Sequence, residues 1–244
     1  MKSVHISSRN FKELLRDPLT YILAILVPIL LMVLFISINN NAGINQIPTF
    51  QVETLTPGII VFAFSFVMMF LGMLLTRDRK SSFLNRLFAA PIKAKDFILG
   101  YFFPFFILAL LQMGAIYIVA IIAGLPITIN LLMTLIPLIL IAIFSIATGI
   151  LFGSILTEGQ MGGVGSVFIT VTQLFSGAWM DLHMIGGFLE KVAYALPFSH
   201  AIDAARLAIK GDYSNMVPDL LWVFGYTIIV VILSILAFKK NMLK

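Results

Sequence analysis

The sequence predicts an all-α membrane protein with six transmembrane helices. Three observations carry this. First, the 244 residues are 60% hydrophobic and only 11% charged, with a mean hydropathy of +1.06. A soluble domain holds about 45–50% apolar and about 25% charged residues. A chain of this size cannot hide so much apolar surface inside itself, so lipid must cover it. Second, the apolar residues fall into six runs, each close to the roughly 20 residues needed to cross a bilayer core. Third, Lys and Arg cluster between the runs. Membrane topology therefore explains the net charge of +5 better than nucleic-acid binding does.

The six runs lie at about 19–38, 57–76, 97–123, 131–156, 164–180 and 218–238. The third is long enough to tilt or kink, and the fifth is the shortest. Pro28, Pro104 and Pro137 fall inside runs, where each removes a backbone hydrogen bond and predicts a kink. The first run is too long for a signal-peptide core, and no small-residue cleavage site follows it. No intervening segment is large enough to be a separate domain, so residues 1–244 are expected to form one transmembrane domain.

Orientation follows from the basic residues. With both termini in the cytoplasm, 13 of the 16 Lys and Arg residues lie inside, in the N-terminal segment, the 77–96 loop and the C-terminal tail. The other three, Lys191, Arg206 and Lys210, lie outside. The opposite orientation reverses this ratio.

Three segments do not span. In His5 to Asp17, Phe11, Leu14 and Leu15 share a face and Pro18 ends the pattern. The segment reads either as an interfacial amphipathic helix or as a simple positive-inside anchor. The 77–96 loop mixes basic residues with Phe83, Leu84, Leu87 and Phe88. Ser81 or Ser82 is placed to cap a short helix that Pro91 stops. Its apolar residues either dock a partner or dip into the headgroups. Residues 181–217 are apolar but interrupted by charge. Two short helices, about 186–195 and 199–210, separated by Pro197 and ended by Gly211, suit a re-entrant hairpin in the outer leaflet. Ser199 is expected to cap the second, and Asp203 to pair with Arg206 at i, i+3. Gly159, Gly162, Gly163 and Gly165 cluster at the start of the fifth run, where small residues allow close helix packing.

Several functions are excluded. The three histidines, His5, His183 and His200, lie outside the runs, and no H-E-x-x-H occurs, which removes serine and zinc intramembrane proteases. No G-x-x-x-x-G-K-[ST] occurs, so the chain is not expected to be an enzyme that hydrolyses ATP. There is no cysteine. The runs hold no ionisable group at midplane depth, unlike ion-coupled antiporters and charged-ring channels. A transporter of this kind must take its energy from a partner.

These residues resemble the permease (transmembrane) subunit of the ABC type-2 exporter family. The first match is Arg86-Leu87-Phe88-Ala89-Ala90-Pro91 followed by Lys93, with Gly100 at the start of span three. The second is Phe175-Ser176-Gly177, then Pro197-Phe198-Ser199-His200 and Arg206. The proline that usually follows Phe-x-Ser-Gly is missing, and Asp181-Leu182-His183 stands there.

The resemblance covers essentially the whole chain. It implies an N-terminal interfacial helix and a cytoplasmic coupling helix between spans two and three, carried by Phe83, Leu84, Arg86, Leu87, Phe88 and Pro91. It also implies an extracellular re-entrant helical hairpin between spans five and six, carried by Pro197, Phe198, Ser199, His200, Asp203 and Arg206. It implies a second permease copy or paralogue packed through Gly162, Gly163 and Gly165, and two separate ABC ATPase subunits that hold ATP and Mg. No cofactor or metal is expected on this chain itself. The setting implied is a bacterial plasma membrane with its lipid, and no nucleic acid. Phe62, Phe66, Met69 and Phe175 are the candidate lining of a path for a hydrophobic or amphipathic cargo such as a drug, peptide or lipid-like molecule. The competing reading is a membrane sensor or scaffold that binds an ATPase and moves nothing.

Overall fold

A long helix forms wherever an uninterrupted apolar run must satisfy its own backbone away from water. The computed structural model describes residues 2–42, 47–81 and 94–242. Among these there is no β-strand. The helices are α1 (Lys2–Leu15), α2 (Pro18–Asn41), α3 (Val52–Lys80), α4 (Ala94–Ile122) and α5 (Ile129–Ile155). Then follow α6 (Glu158–Phe175), the single turn α7 (Leu182–Ile185), α8 (Gly187–Ala195), α9 (Pro197–Lys210) and α10 (Tyr213–Met242).

Five of these, α2, α3, α4, α5 and α10, are long and apolar enough to cross a membrane. The expected run at 164–180 falls on α6, which is not among the five. A Thr157–Gln160 capping box starts α6 six residues early, with Thr157 N–H donating to Gln160 Oε1 at 3.0 Å. The helix therefore takes in Glu158, Gly159 and Gln160 and stops at Phe175, short of Met180. The other helices overrun their predicted starts: α3 begins at Val52 and α10 at Tyr213, so Pro57 and Pro218 lie inside these helices, each in the second turn.

Helix α3 is the hub, and 83% of its apolar stretch is buried within the protein, against 18% in α2 and 17% in α10. It packs most extensively on α5, with α4 and α6 on its other sides, while α10 lies on α5 and α9. Gly149 and Gly153 make the α3–α5 contact possible. A Cβ at Gly149 would stand 2.7 Å from the Met68 carbonyl oxygen, and one at Gly153 would stand 2.9 Å from Leu75 Cβ. This is the small-xxx-small packing by which membrane helices gain dispersion contact.

The prolines behave in an instructive way. Pro28 follows a π turn at Ile22–Leu26, and α5 breaks at Thr134, three residues before Pro137. Pro104 sits in the uninterrupted helix α4. A proline leaves the carbonyl four residues earlier without its helical donor. For Pro28 that is Ala24, whose oxygen accepts from Gln112 Nε2 of α4 at 2.7 Å. For Pro104 it is Gly100, whose oxygen accepts from Asn10 Nδ2 of α1 at 3.1 Å. Both amides are fully buried. Each therefore mends a proline defect in a neighbouring helix.

Helix α1 corrects the expected 5–17 helix. It covers Lys2–Leu15, and the face packed on α4 is Ile6, Asn10 and Leu14 at i, i+4, i+8. Leu15 is exposed. Gly100 is required at this contact, because a Cβ there would stand 2.5 Å from Ile6 Cγ2. Val4 and Leu15, with half-buried Phe11, form a second apolar strip, and His5, Lys12 and Arg16 form a third, exposed polar one.

Candidate functional site

Polar side chains gather at the two ends of α3, about 36 Å apart by helix rise. At the basic end, Asp78 lies two residues before the last residue of α3, and its side chain is 3% exposed. A carboxylate buried this far must be paired. Arg9 of α1 grips it with a two-pronged fork, Nη1 to Oδ2 at 2.5 Å and Nη2 to Oδ1 at 2.7 Å. Tyr101 of α4 donates its hydroxyl to Oδ2 at 2.5 Å. Burial alone would lower the Arg9 pKa. The hydrogen bond and charge of Asp78 more than offset this, and the pKa is raised. Arg9 also pairs with Glu13 at 2.7 Å. The next residue, Arg79, donates to the carbonyls of Gly153 and Leu156 at 3.0 and 2.9 Å, capping the C-terminal end of α5. Lys80 and Glu158 approach to 3.2 Å, an exposed pair of small energetic weight.

These contacts bracket the connection between α3 and α4. Phe83, Leu84, Arg86, Leu87, Phe88 and Pro91 all lie outside the described residues. What the structure gives is their anchorage, with one stem held through Asp78 and Arg79 and the other through Gly100 and Tyr101.

At the opposite end, α8 and α9 are separated by Leu196 alone, and Pro197 is the first residue of α9. Ser199 does not cap α9. Its hydroxyl donates to the Ala193 carbonyl at 2.8 Å and so ties α9 back to α8. Gly211 ends α9 with φ +78°, and Asp212 N–H reaches back to the Leu207 carbonyl at 3.0 Å. Only glycine takes that conformation without cost. Phe198 is buried edge-to-face against Phe144 and Phe168.

His200, Asp203 and Arg206 of α9 join one network. His200 Nδ1 meets Asp219 of α10 at 2.6 Å, and its Nε2 meets the Tyr194 carbonyl at 2.8 Å. Burial opposes a charge on His200, yet those partners prevail and its pKa is raised. Arg206 reaches Asp203 at 3.4 Å, as the spacing predicted, but its shorter bonds go to the carbonyls of Thr54 at 3.0 Å and Gly177 at 2.9 Å. Arg206 thereby pins α9 to the start of α3 and to the turn after α6. Burial raises the Asp203 pKa against the pull of Arg206, and burial lowers that of Arg206. Tyr194 donates to Asp203 at 3.2 Å.

Phe62 and Phe66 lie on one face of α3, with ring centres 5.3 Å apart, and Phe62 meets Trp179 at 5.2 Å. Phe35 and Phe50 complete this aromatic group. The indole N–H of Trp179 is buried with no acceptor among the described residues. Met69 lies on the same side of α3, where a Cβ at Gly165 would stand 2.9 Å from its Cγ. Gly165 therefore serves a contact inside the chain, whereas Gly162 and Gly163 face open space. Phe175 is half-buried at the end of α6 and makes no ring contact among the described residues.

Sequence reasoning passed over Asp78, Arg9, Asn10 and Gln112. Asp78 hides among Arg77, Arg79 and Lys80, which read as topogenic charge. The Gly149-x-x-x-Gly153 signal, by contrast, was available in the fourth run.

Five helices long and apolar enough to cross a membrane describe an integral membrane protein. Residues 3–209 match the ABC-2 type transporter membrane domain, and the chain belongs to that family. It is also 29% identical over 213 residues to ycf38 of Porphyra purpurea, which is described as a candidate transport permease. The match covers 85% of this chain and 72% of that one. The family makes this chain the membrane permease part of an ABC transporter.

Proposed function

We propose that the chain is the permease subunit of an ATP-driven exporter. It works with a second permease copy or paralogue and with two separate cytoplasmic ATPase subunits that bind ATP and Mg. In this reading α6 crosses as the fifth of six spans, both termini face the cytoplasm of a bacterial plasma membrane, and α8–α9 form the outer hairpin. The coupling segment is Phe83, Leu84, Arg86, Leu87, Phe88 and Pro91, and its motion opens a path past Phe62, Phe66, Met69 and Phe175. Gly162 and Gly163, open in the single chain, meet the second permease. The cargo is hydrophobic or amphipathic, in keeping with the phenylalanine and methionine lining.

The observation that supports force transfer most directly is the buried Asp78, bonded to both α1 and α4 beside the coupling segment. The test is reconstitution with a candidate ABC ATPase from the same organism. The expected result is co-purification, cargo-stimulated ATP hydrolysis in liposomes, and loss of both on Arg86→Glu or Leu87→Asp. If both variants bind the ATPase and transport as the parent does, the coupling assignment is wrong. An ATPase that binds while no cargo moves identifies a sensor or scaffold instead.

A further inference from the structure

A cleft of about 500 Å³ opens at the basic end between α1, α2 and α3. Its inner wall is apolar, formed by Leu19, Phe70 and Met73 with the buried Phe105 of α4 behind them, and its rim carries Arg16 and Arg77. Two carboxylates, Glu13 and Asp17, also border it. Both are already engaged. Glu13 pairs with Arg9 at 2.7 Å, and Asp17 accepts from the Thr20 hydroxyl at 2.8 Å as the cap of the first turn of α2. Arg16 and Arg77 are exposed and have no ion pair or side-chain hydrogen bond among the described residues. The rim thus sets two arginines against two carboxylates, but only the arginines are left without a partner among the described residues, and the wall behind them is hydrocarbon-like. The volume lies in the ordinary range for a small-molecule site, and the rim lies at the ends of spanning helices, where headgroups sit.

We infer that this cleft binds an anionic amphiphile from the inner leaflet, with its head on Arg16 and Arg77 and its tail against Leu19, Phe70 and Met73. The placement in the inner leaflet rests on the orientation proposed above. The binding itself needs neither ATP nor a partner. A phosphate or carboxylate head suits two guanidinium forks, which recognise planar or trigonal oxyanions by paired hydrogen bonds. A zwitterionic head brings its own cation to the rim and loses that advantage.

The test is native mass spectrometry of the purified chain in detergent, with added dioleoyl phosphatidic acid or dioleoyl phosphatidylcholine. The expected result is about tenfold tighter retention of the phosphatidic acid, the scale of one charge-assisted hydrogen bond. Arg16→Gln/Arg77→Gln brings it down to the phosphatidylcholine level. Arg16→Lys/Arg77→Lys, which keeps the charge, retains part of the preference and shows that the fold tolerates change here. Lys12→Gln, one turn away and off the cleft, leaves it unchanged. Equal retention of the two lipids overturns the proposal, as does a preference that survives the double Gln variant or falls equally with Lys12→Gln. Glycerol 3-phosphate or inorganic phosphate displacing the lipid at equal concentration also overturns it, because the tail then contributes nothing. Failure of ATP-driven transport with this binding intact sinks the exporter reading and leaves the site standing.

Discussion

At the scale of single residues, Arg9 forms a two-pronged ion pair with the buried carboxylate of Asp78. Removing one partner of a buried pair strands the other, at about 3–5 kcal/mol. Arg9 is a third exposed, so Asp78→Asn is expected to cost less, about 2–3 kcal/mol. Arg9→Gln/Asp78→Asn should cost less than the sum of the single changes. Thermal unfolding in detergent measures this, and strict additivity would show that the two do not interact. His200 makes the second prediction at this scale. Its folded pKa is raised above its ordinary value, so its protonated form contributes stability that is complete below about pH 6.5 and is lost as pH rises through the folded value. The raised pKa of Asp203 acts with the same sign in a lower window. The exposed His183, raised by its hydrogen bond to Glu190, acts in the same window as His200. Amide exchange in 197–210, corrected for intrinsic pH dependence, should therefore speed up from pH 6 to 8. His200→Asn should flatten that profile, whereas His183→Asn should leave most of it. A profile untouched by His200→Asn would remove His200 from the account.

Helix by helix, the proline defects and their remedies are the main finding. Gln112 and Asn10 are buried amides on apolar faces, and each sits where a proline in a distant helix leaves a carbonyl unmet. Gln112→Leu should destabilise the protein by about 1–2 kcal/mol. In a Pro28→Ala background, where the chain regains its own donor, the same change should cost measurably less. Equal costs in both backgrounds would mean that Gln112 matters for packing alone. This relation was only half legible in the sequence. The prolines announced local defects, but nothing in a one-dimensional pattern says which distant amide meets which carbonyl. Helix α6 was misjudged for a related reason. Hydropathy located its apolar middle, whereas its start is fixed by the hydroxyl and amide of Thr157 and Gln160, residues that a hydropathy window counts as interruptions.

Across the whole molecule, the apolar runs and the charge between them were readable because span length and basic clusters are one-dimensional quantities. Family membership rested on the same order of motifs. The buried carboxylate at the basic end was not readable, because side-chain direction is set by packing against α1. The chain's lack of cysteine makes the span count open to a clean experiment. Single cysteines at Thr157 and Met184 flank α6, and Met184 is 87% exposed. If α6 crosses the membrane, an impermeant maleimide added to intact cells labels Met184→Cys and reaches Thr157→Cys only after permeabilisation. Labelling of both from one side would leave five spans.

The shared carboxylate also constrains how the protein can move. Asp78 belongs to α3, yet it is bonded to Tyr101 of α4 and to Arg9 of α1, so three helices meet on one buried charge. Prising α3 and α4 apart at this end would strip that charge of the Tyr101 hydroxyl. If the connecting segment receives the thrust proposed above, the three bonded helices are expected to tilt together, because separating them breaks the bonds to Asp78.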